Sequence, residues 1–422
     1  MFRKLRAGAL QFAMFVVVVI ALLLAAFIVL VHTYKQFKIQ TDFVLETANN
    51  ANKGMDYLLE HDVIQEDTLV LNLNDADYKT LKVYQDYWGL FEKGTAISKI
   101  KYKQFKKIAL IGASQAEIYR TALYLEENNR PLSLVGNTKI QGVAYLPKQG
   151  VRTGNISGHS YYGSSLINGA TRESSELPKI KSGILKQLSN IDEEFNEVNQ
   201  DQFLNIDRQS AFKNSFFNPL RVVYSPGLID LSGVSLTGHI LVQSKNKIMV
   251  DASSTLQDVI LVAPIVELKD HVKGTFQVFA TKELTVGSNC ELNYPSALVL
   301  KEDKQMGSEG INNAEETPFI KINKGSTVKG TIVYLGKTKN YKPQVVINEN
   351  AKIIGEVYCD RNLELLGDVY GSVFTSGFVA VQSGSVFQNH IYNGNILVDE
   401  LPQEYVGLQL ETSKKDIAKW LY

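Results

Sequence analysis

Residues 247–286 read KIMVDASSTLQDVILVAPIVELKDHVKGTFQVFATKELTV, and the same short strand occurs in them three times. Lys247-Ile-Met-Val, Ile265-Val-Glu-Leu and Glu283-Leu-Thr-Val begin eighteen residues apart. Ile248, Val266 and Leu284 therefore share one register, and Val250, Leu268 and Val286 share another. Between them lie second strands, Val259-Ile-Leu-Val and Phe276-Gln-Val-Phe. A unit of two or three short strands cannot bury its apolar side alone, whereas a stack of such units can. The spacing predicts a β-solenoid.

Downstream, beyond a polar insertion at 303–316, the pattern returns in another form. Val328-Lys-Gly-Thr-Ile-Val-Tyr, Ile353-Ile-Gly-Glu-Val-Tyr and Val369-Tyr-Gly-Ser-Val-Phe place Gly330, Gly355 and Gly371 where a coil has to turn. Val386-Phe-Gln-Asn-His-Ile-Tyr continues the series with Gln388 in the glycine slot. These glycine-centred elements resemble bactofilins, polymer-forming β-helical scaffold proteins, over residues 319–392. Upstream, 134–146 and 228–242 read as earlier coils of the same stack. Ile180, Ile184, Leu188, Ile191, Phe195 and Val198 mark a helical insertion over about 176–199 that covers an end or flank. Residues 413–422 read as a short terminal helix capping the open strand edges.

At the other end, Phe12–Val31 is FAMFVVVVIALLLAAFIVLV, twenty residues without a charge. A helix of that length spans roughly 30 Å, the thickness of a bilayer core. Arg3, Lys4 and Arg6 precede it, and Lys35 and Lys38 follow at a greater distance. That bias puts the N-terminus in the cytoplasm and exports the rest. The helix should continue to His61, with Phe37, Thr41, Val44, Ala48, Ala51, Met55 and Leu58 on one face. That face packs on the protein's own sheet or on neighbouring helices. Short strands are expected at 69–73, 81–88, 97–102 and 107–111. Ser114 and Glu117, in capping-box spacing, should open a helix carrying Ile118, Ala122 and Leu125, ended by Asn128-Asn129-Arg130-Pro131.

A long apolar helix running into a small antiparallel sheet resembles the type IV pilins and pseudopilins over residues 1–112. The resemblance implies a basic leader cleaved after Gly8, leaving Ala9 as the first mature residue. The family's Glu at the fifth mature position is Ala13 here, so an uncleaved leader stays open.

The domain reading is a leader and transmembrane helix (1–34), a juxtamembrane helix (35–62), a small α+β meander (63–130), a mainly β solenoid (131–400) and a C-terminal cap (401–422). Lysine plus arginine and aspartate plus glutamate number 44 each, so no net field favours nucleic acid, which is not an expected partner. Two cysteines, Cys290 and Cys359, make neither a disulfide framework nor a cysteine zinc site. The six histidines form no ligand pair, and no cofactor is expected. The carboxylates and histidines that an enzyme on a β-helix would use are Asp230, His239, Asp251, Asp258, Asp270 and His271. Asp251 aligns with Lys269 and Gly287, so no acidic ladder repeats. Gly158-His-Ser-Tyr-Tyr-Gly lacks nucleophile-elbow spacing and reads as an exposed turn. In KIKYKQFKK, 99–107, Ile100, Tyr102 and Phe105 can face inward from the wet lysines.

These readings converge on a non-enzymatic protein held in the lipid bilayer by its N-terminal helix. It would be a minor pilin-like subunit of an envelope filament or secretion apparatus, with other such subunits or envelope proteins as partners. The alternatives are a bactofilin-like scaffold or adhesin, and a carbohydrate-active β-helix enzyme.

Overall fold

A computed structural model of the chain describes residues 8–63, 68–72, 78–115, 120–193, 198–302, 317–338 and 340–422. Arg3, Lys4, Arg6, Glu117, Ile118, Phe195 and the insertion at 303–316 lie outside them. The chain divides into two units, 1–84 with 95–107, and 85–94 with 108–422. It is mainly β, with one long apolar helix at the N-terminus.

The first unit is built on helix α1 (Gly8–Glu60) and an antiparallel meander. Its strands are β1 (Leu69–Leu71), β2 (Lys79–Trp88), β3 (Phe91–Ile100) and β4 (Lys103–Ser114), adjacent in that order. Residues of β2, β3 and β4 are shared between the units. β2 pairs with β1 in the register Leu69↔Val83. In β2, buried Leu81 and Val83 flank exposed Lys82, the period-two pattern of a sheet with one wet face. Thr47, Asn50, Ala51, Gly54, Met55 and Leu58 form the buried stripe of α1. Gly54 permits close approach, because a Cβ there would sit 2.9 Å from the Ala96 Cβ.

The second unit is dominated by parallel strands. Ile229, Ile248, Val266, Leu284, Ile320, Val345 and Leu363 are successive register partners. A second column runs Leu236, Leu256, Gly274, Leu292, Val328, Ile353, Val369, Ile396, Ile140. A third runs Val223, Val242, Leu261, Val278, Leu298, Ile332, Val357, Val373, Leu123, Ala144. Except for Gly274, which has no side chain to contribute, the three columns share one buried interior. Burying each aliphatic side chain contributes about 1.5–3 kcal/mol before conformational entropy is subtracted.

The third column explains the uninterrupted apolar runs such as Val259–Ala263. Leu241, Ile260, Val262, Phe279, Val299, Val333, Tyr358 and Phe374 lie on its outer side and are buried too. They pack with Trp88, Phe91, Leu110, Ile184, Leu188, Leu408 and Leu421. Strands covered on both faces lose the polar alternation.

Five expectations need correction. First, the segment after Ser114 forms no helix among its described residues. Thr121–Leu125 is a strand wedged between Val373–Thr375 and Val143–Tyr145, and two ready-made strand edges outweigh local helix propensity. Second, the coils are not stacked in sequence order. Lys139–Gln141 pairs with Asn395–Leu397, and Leu132–Val135 with His390–Tyr392, so residues 121–173 extend the far end of the ladder. The ladder instead starts at Ala211–Asn214.

Third, Ser385–Gln388 folds back antiparallel on Val379–Gln382 and does not continue the glycine series. Fourth, Lys415–Leu421 is a strand on β4 and not a helix, because the open edge at Ile108–Ala113 supplies its hydrogen bonds. The helical insertion is also shorter than expected: α2 covers Ser182–Asn190, followed by a single turn of 3-10 helix at Ile191–Glu193.

The described parts of the connector, 174–193 and 198–210, run from one end of the ladder to the other. Tyr358 Oη donates to Pro178 O (3.1 Å), Lys301 Nζ meets Ser189, and Gln243 Nε2 donates to Asp192 O (2.9 Å). Phe203 then bridges Val222. Its contacts descend the ladder while the ladder strands ascend.

Candidate functional site

The most distinctive feature is the free part of α1. Its 53 residues extend about 80 Å at 1.5 Å per residue. From Gly8 through Asp42 every described side chain is exposed, including Phe12, Phe15, Phe27 and the valines and leucines between them. An exposed apolar surface of this extent is incompatible with a helix left in water. The helix satisfies its own backbone hydrogen bonds, so its apolar surface can pass into hydrocarbon without orphaned polar groups. It is long and apolar enough to cross a membrane. Gly8 and Ala9 are both helical, and among the described residues no atom lies within 4 Å of a Cβ built on Gly8.

The face predicted from Phe37 to Leu58 divides in two. Ala51, Met55 and Leu58 are buried on the sheet, whereas Phe37 is 67% exposed and Val44 46%. Lys79 Nζ pairs with Glu46 Oε1 at 2.5 Å, and Lys107 donates to Asn52, fixing the helix on its sheet. Of the three residues expected to turn inward from the lysine-rich strand, only Ile100 does so. Tyr102 is 66% exposed and Phe105 40%.

The six residues weighed for catalysis are spread along the second unit, mostly in structural roles. Asp230 Oδ1 accepts from the Ser232 N–H and hydroxyl, and Asp251 Oδ1 does the same with Ser253. These bonds hold both carboxyls below their ordinary range. Asp270 Oδ1 accepts from Ser288 N–H, so all three organise turns. His271 adopts φ +64°. Asp258 accepts from Lys419 Nζ at 2.6 Å. The His239 ring packs against both Trp88 and Phe216, at centroid distances of 4.8 and 5.0 Å, and those two rings touch each other at 5.4 Å. His159–Ser160, in the Gly158 segment, pairs with Asn155–Ile156 in a hairpin where His159 and Ser160 are exposed and Ile156 is buried. Among the described residues no three His, Cys, Asp or Glu side chains gather as a metal site.

Sequence reasoning missed the buried carboxylates. Glu302 accepts from the Tyr334 hydroxyl (2.6 Å), the Lys337 and Thr338 N–H groups and the Thr338 hydroxyl. It borders a groove of about 200 Å³ between α2 and the ladder, lined also by Leu188, Phe279, Val299 and Lys301. Four hydrogen bonds occupy its oxygens, which suits a structural acceptor better than a proton donor. Glu356 is buried beside Tyr405 and accepts from Leu408 N–H at 2.6 Å. Burial pushes its carboxyl up to about 7. The signal in the sequence was an acid immediately before the apolar run Val357-Tyr358-Cys359, where a strand covered on both sides leaves it no solvent.

No protein-family model matches the chain, and no curated protein matches it. Among solved structures, the competence-associated pilin ComZ from Thermus thermophilus aligns over 85% of this chain and 88% of that one. The two are 12% identical with a TM-score of 0.18, and at that score the backbones do not superpose as one fold.

Proposed function

We propose that this chain is a single-pass envelope protein in which α1 anchors a non-enzymatic β-solenoid outside the cytoplasm. We further propose that it serves as a minor pilin-like subunit of a filament or secretion apparatus. The observation that carries the reading is the division of α1: an apolar half with no intramolecular partner among the described residues, and a second half seated on an antiparallel meander. That arrangement suits a subunit held in the bilayer and able to pack on neighbouring helices. The basic residues before Phe12 favour a cytoplasmic N-terminus. The solenoid reading rests on the three parallel columns around one interior and on the column Gly330–Gly355–Gly371.

The test has two parts. Carbonate should leave the protein in the membrane, with residues beyond Lys35 open to protease from outside; extraction into the soluble fraction would defeat the anchor. The mature chain should then begin at Ala9 and require a prepilin peptidase. A mature protein retaining Met1 would favour the second reading, a bactofilin-like scaffold that never enters a filament.

A further inference from the structure

The first unit carries a surface that the anchor alone does not explain. Beyond the apolar run, α1 presents Tyr34, Lys35, Phe37 and Lys38, all exposed. Rings and long cations in that order suit the headgroup layer. Phe43 lies five residues past Lys38, about 7.5 Å along the axis. That is close to one Debye length at physiological salt. The β3–β4 turn reaches the same level, with Lys101 Nζ 5.0 Å from the Phe43 ring and 5.2 Å from the Tyr78 ring.

The turn is unusual in what it exposes. Tyr102 is 66% exposed, and Lys103 Nζ sits 5.3 Å from its ring. Lys82, Lys99 and Lys101 line one groove with Tyr78. None of these lysines, nor Lys103, has an ion pair among the described residues. Asp75 and Asp77 precede Tyr78 in sequence and lie outside those residues. Like charges gathered on one sheet face repel unless an anion lies against them.

We propose that the Lys101-Tyr102-Lys103 turn, with Tyr78 and Phe105, docks on the membrane surface and takes anionic lipid headgroups of the leaflet from which α1 emerges. This rests on the anchor reading, and its occupant follows from charge complementarity and from the turn's level on α1. Docking would restrain the tilt and rotation of the anchored unit, which an apolar helix by itself leaves free. Each lysine at an anionic surface shifts the docked equilibrium by roughly fivefold.

The experiment uses the full chain in lipid nanodiscs. Tyr102→Cys and, separately, Phe27→Cys carry a fluorophore; the native thiols are 2% and 0% exposed and stay unlabelled in the folded protein. Headgroup spin labels should quench the Tyr102 position in discs containing phosphatidylglycerol. Quenching should be weak in pure phosphatidylcholine, fall with added salt, and fall in a Lys101→Glu/Lys103→Glu background. Acyl-chain spin labels should quench the Phe27 position in every disc. Equal Tyr102 signals in both lipids, with Phe27 still quenched, would overturn the headgroup contact and leave the anchor intact. An unquenched Phe27 would remove the anchor and this contact together. Retention of a phosphodiester oligonucleotide by the lysines, without any response to lipid charge, would assign them to nucleic acid and overturn the membrane contact.

Discussion

Val266 and Lys269 stand three residues apart and face opposite environments. Val266 is fully buried in the ladder interior, between Ile248 and Leu284. The Lys269 side chain is 39% exposed, 3.8 Å from Asp251. Val266→Asp should cost several kcal/mol by burying an unpaired charge, whereas Lys269→Asp should cost below about 1 kcal/mol. Coincident melting curves for the two variants would show that the register is wrong. Glu356 makes a second prediction, in pH. Its carboxyl is raised from 4.5 to about 7 by burial, and Asp360 is raised to about 6 for the same reason. A carboxyl raised in the folded state binds its proton more tightly there. Its contribution is therefore complete below the ordinary value and is lost as pH rises through the folded one. For Glu356 the interval from 4.5 to about 7 corresponds to a loss on the order of 3 kcal/mol. Denaturant midpoints should fall between pH 4.5 and 7, and Glu356→Gln should flatten the upper part of that fall. An unchanged slope in the variant would remove Glu356 as the cause.

Among the strands, the glycine column limits what the ladder tolerates. Gly330, Gly355 and Gly371 are successive parallel partners with φ near +150°. They sit inside continuous strands, at the corner where each strand leaves the second column for the third. A Cβ on Gly355 would lie 1.9 Å from Gly330 O, and one on Gly371 would lie 1.8 Å from Gly355 O. The neighbouring strand, as much as the bend, therefore excludes a side chain. Gly384, in the turn before Ser385, has φ +80° but no atom within 4 Å of a built Cβ. Gly355→Ala should cost more than about 3 kcal/mol, and Gly384→Ala only about 1–2 kcal/mol from its backbone conformation. Equal thermal shifts would mean that the inter-strand contact is not what selects glycine.

For the whole molecule, the informative feature is the order in which the strands stack. Residues 121–173 form the last part of the ladder, and the connector after them returns along its covered flank to the start of the ladder at 211. The final strands thus close onto a segment made early, and contacts between residues more than 250 apart, such as Lys139 with Asn395, join it. Adjacent strands lie about 4.8 Å apart, within disulfide range. A Lys139→Cys/Asn395→Cys chain should crosslink on mild oxidation without loss of helix or sheet content. Lys139→Cys/Ala211→Cys, the pairing that simple sequence order would suggest, should stay reduced. The reverse result would restore the linear order of coils.

The sequence by itself determined the apolar helix, because twenty uncharged residues leave few other structures open to them. It also determined the register of Ile248, Val266 and Leu284, because an eighteen-residue period survives whatever surrounds it. Cys290 and Cys359 were too few for a disulfide framework, and both are buried and free. Tertiary structure decided the rest. Thr121–Leu125 and Lys415–Leu421 are strands because unpaired strand edges were waiting for them, and no local pattern records a distant edge. The outward burial of Phe279, Tyr358 and Phe374 depended on which segment came to cover them. The raised carboxyl of Glu356 follows from that same covering, since desolvation is a property of the assembled layers and not of the residue.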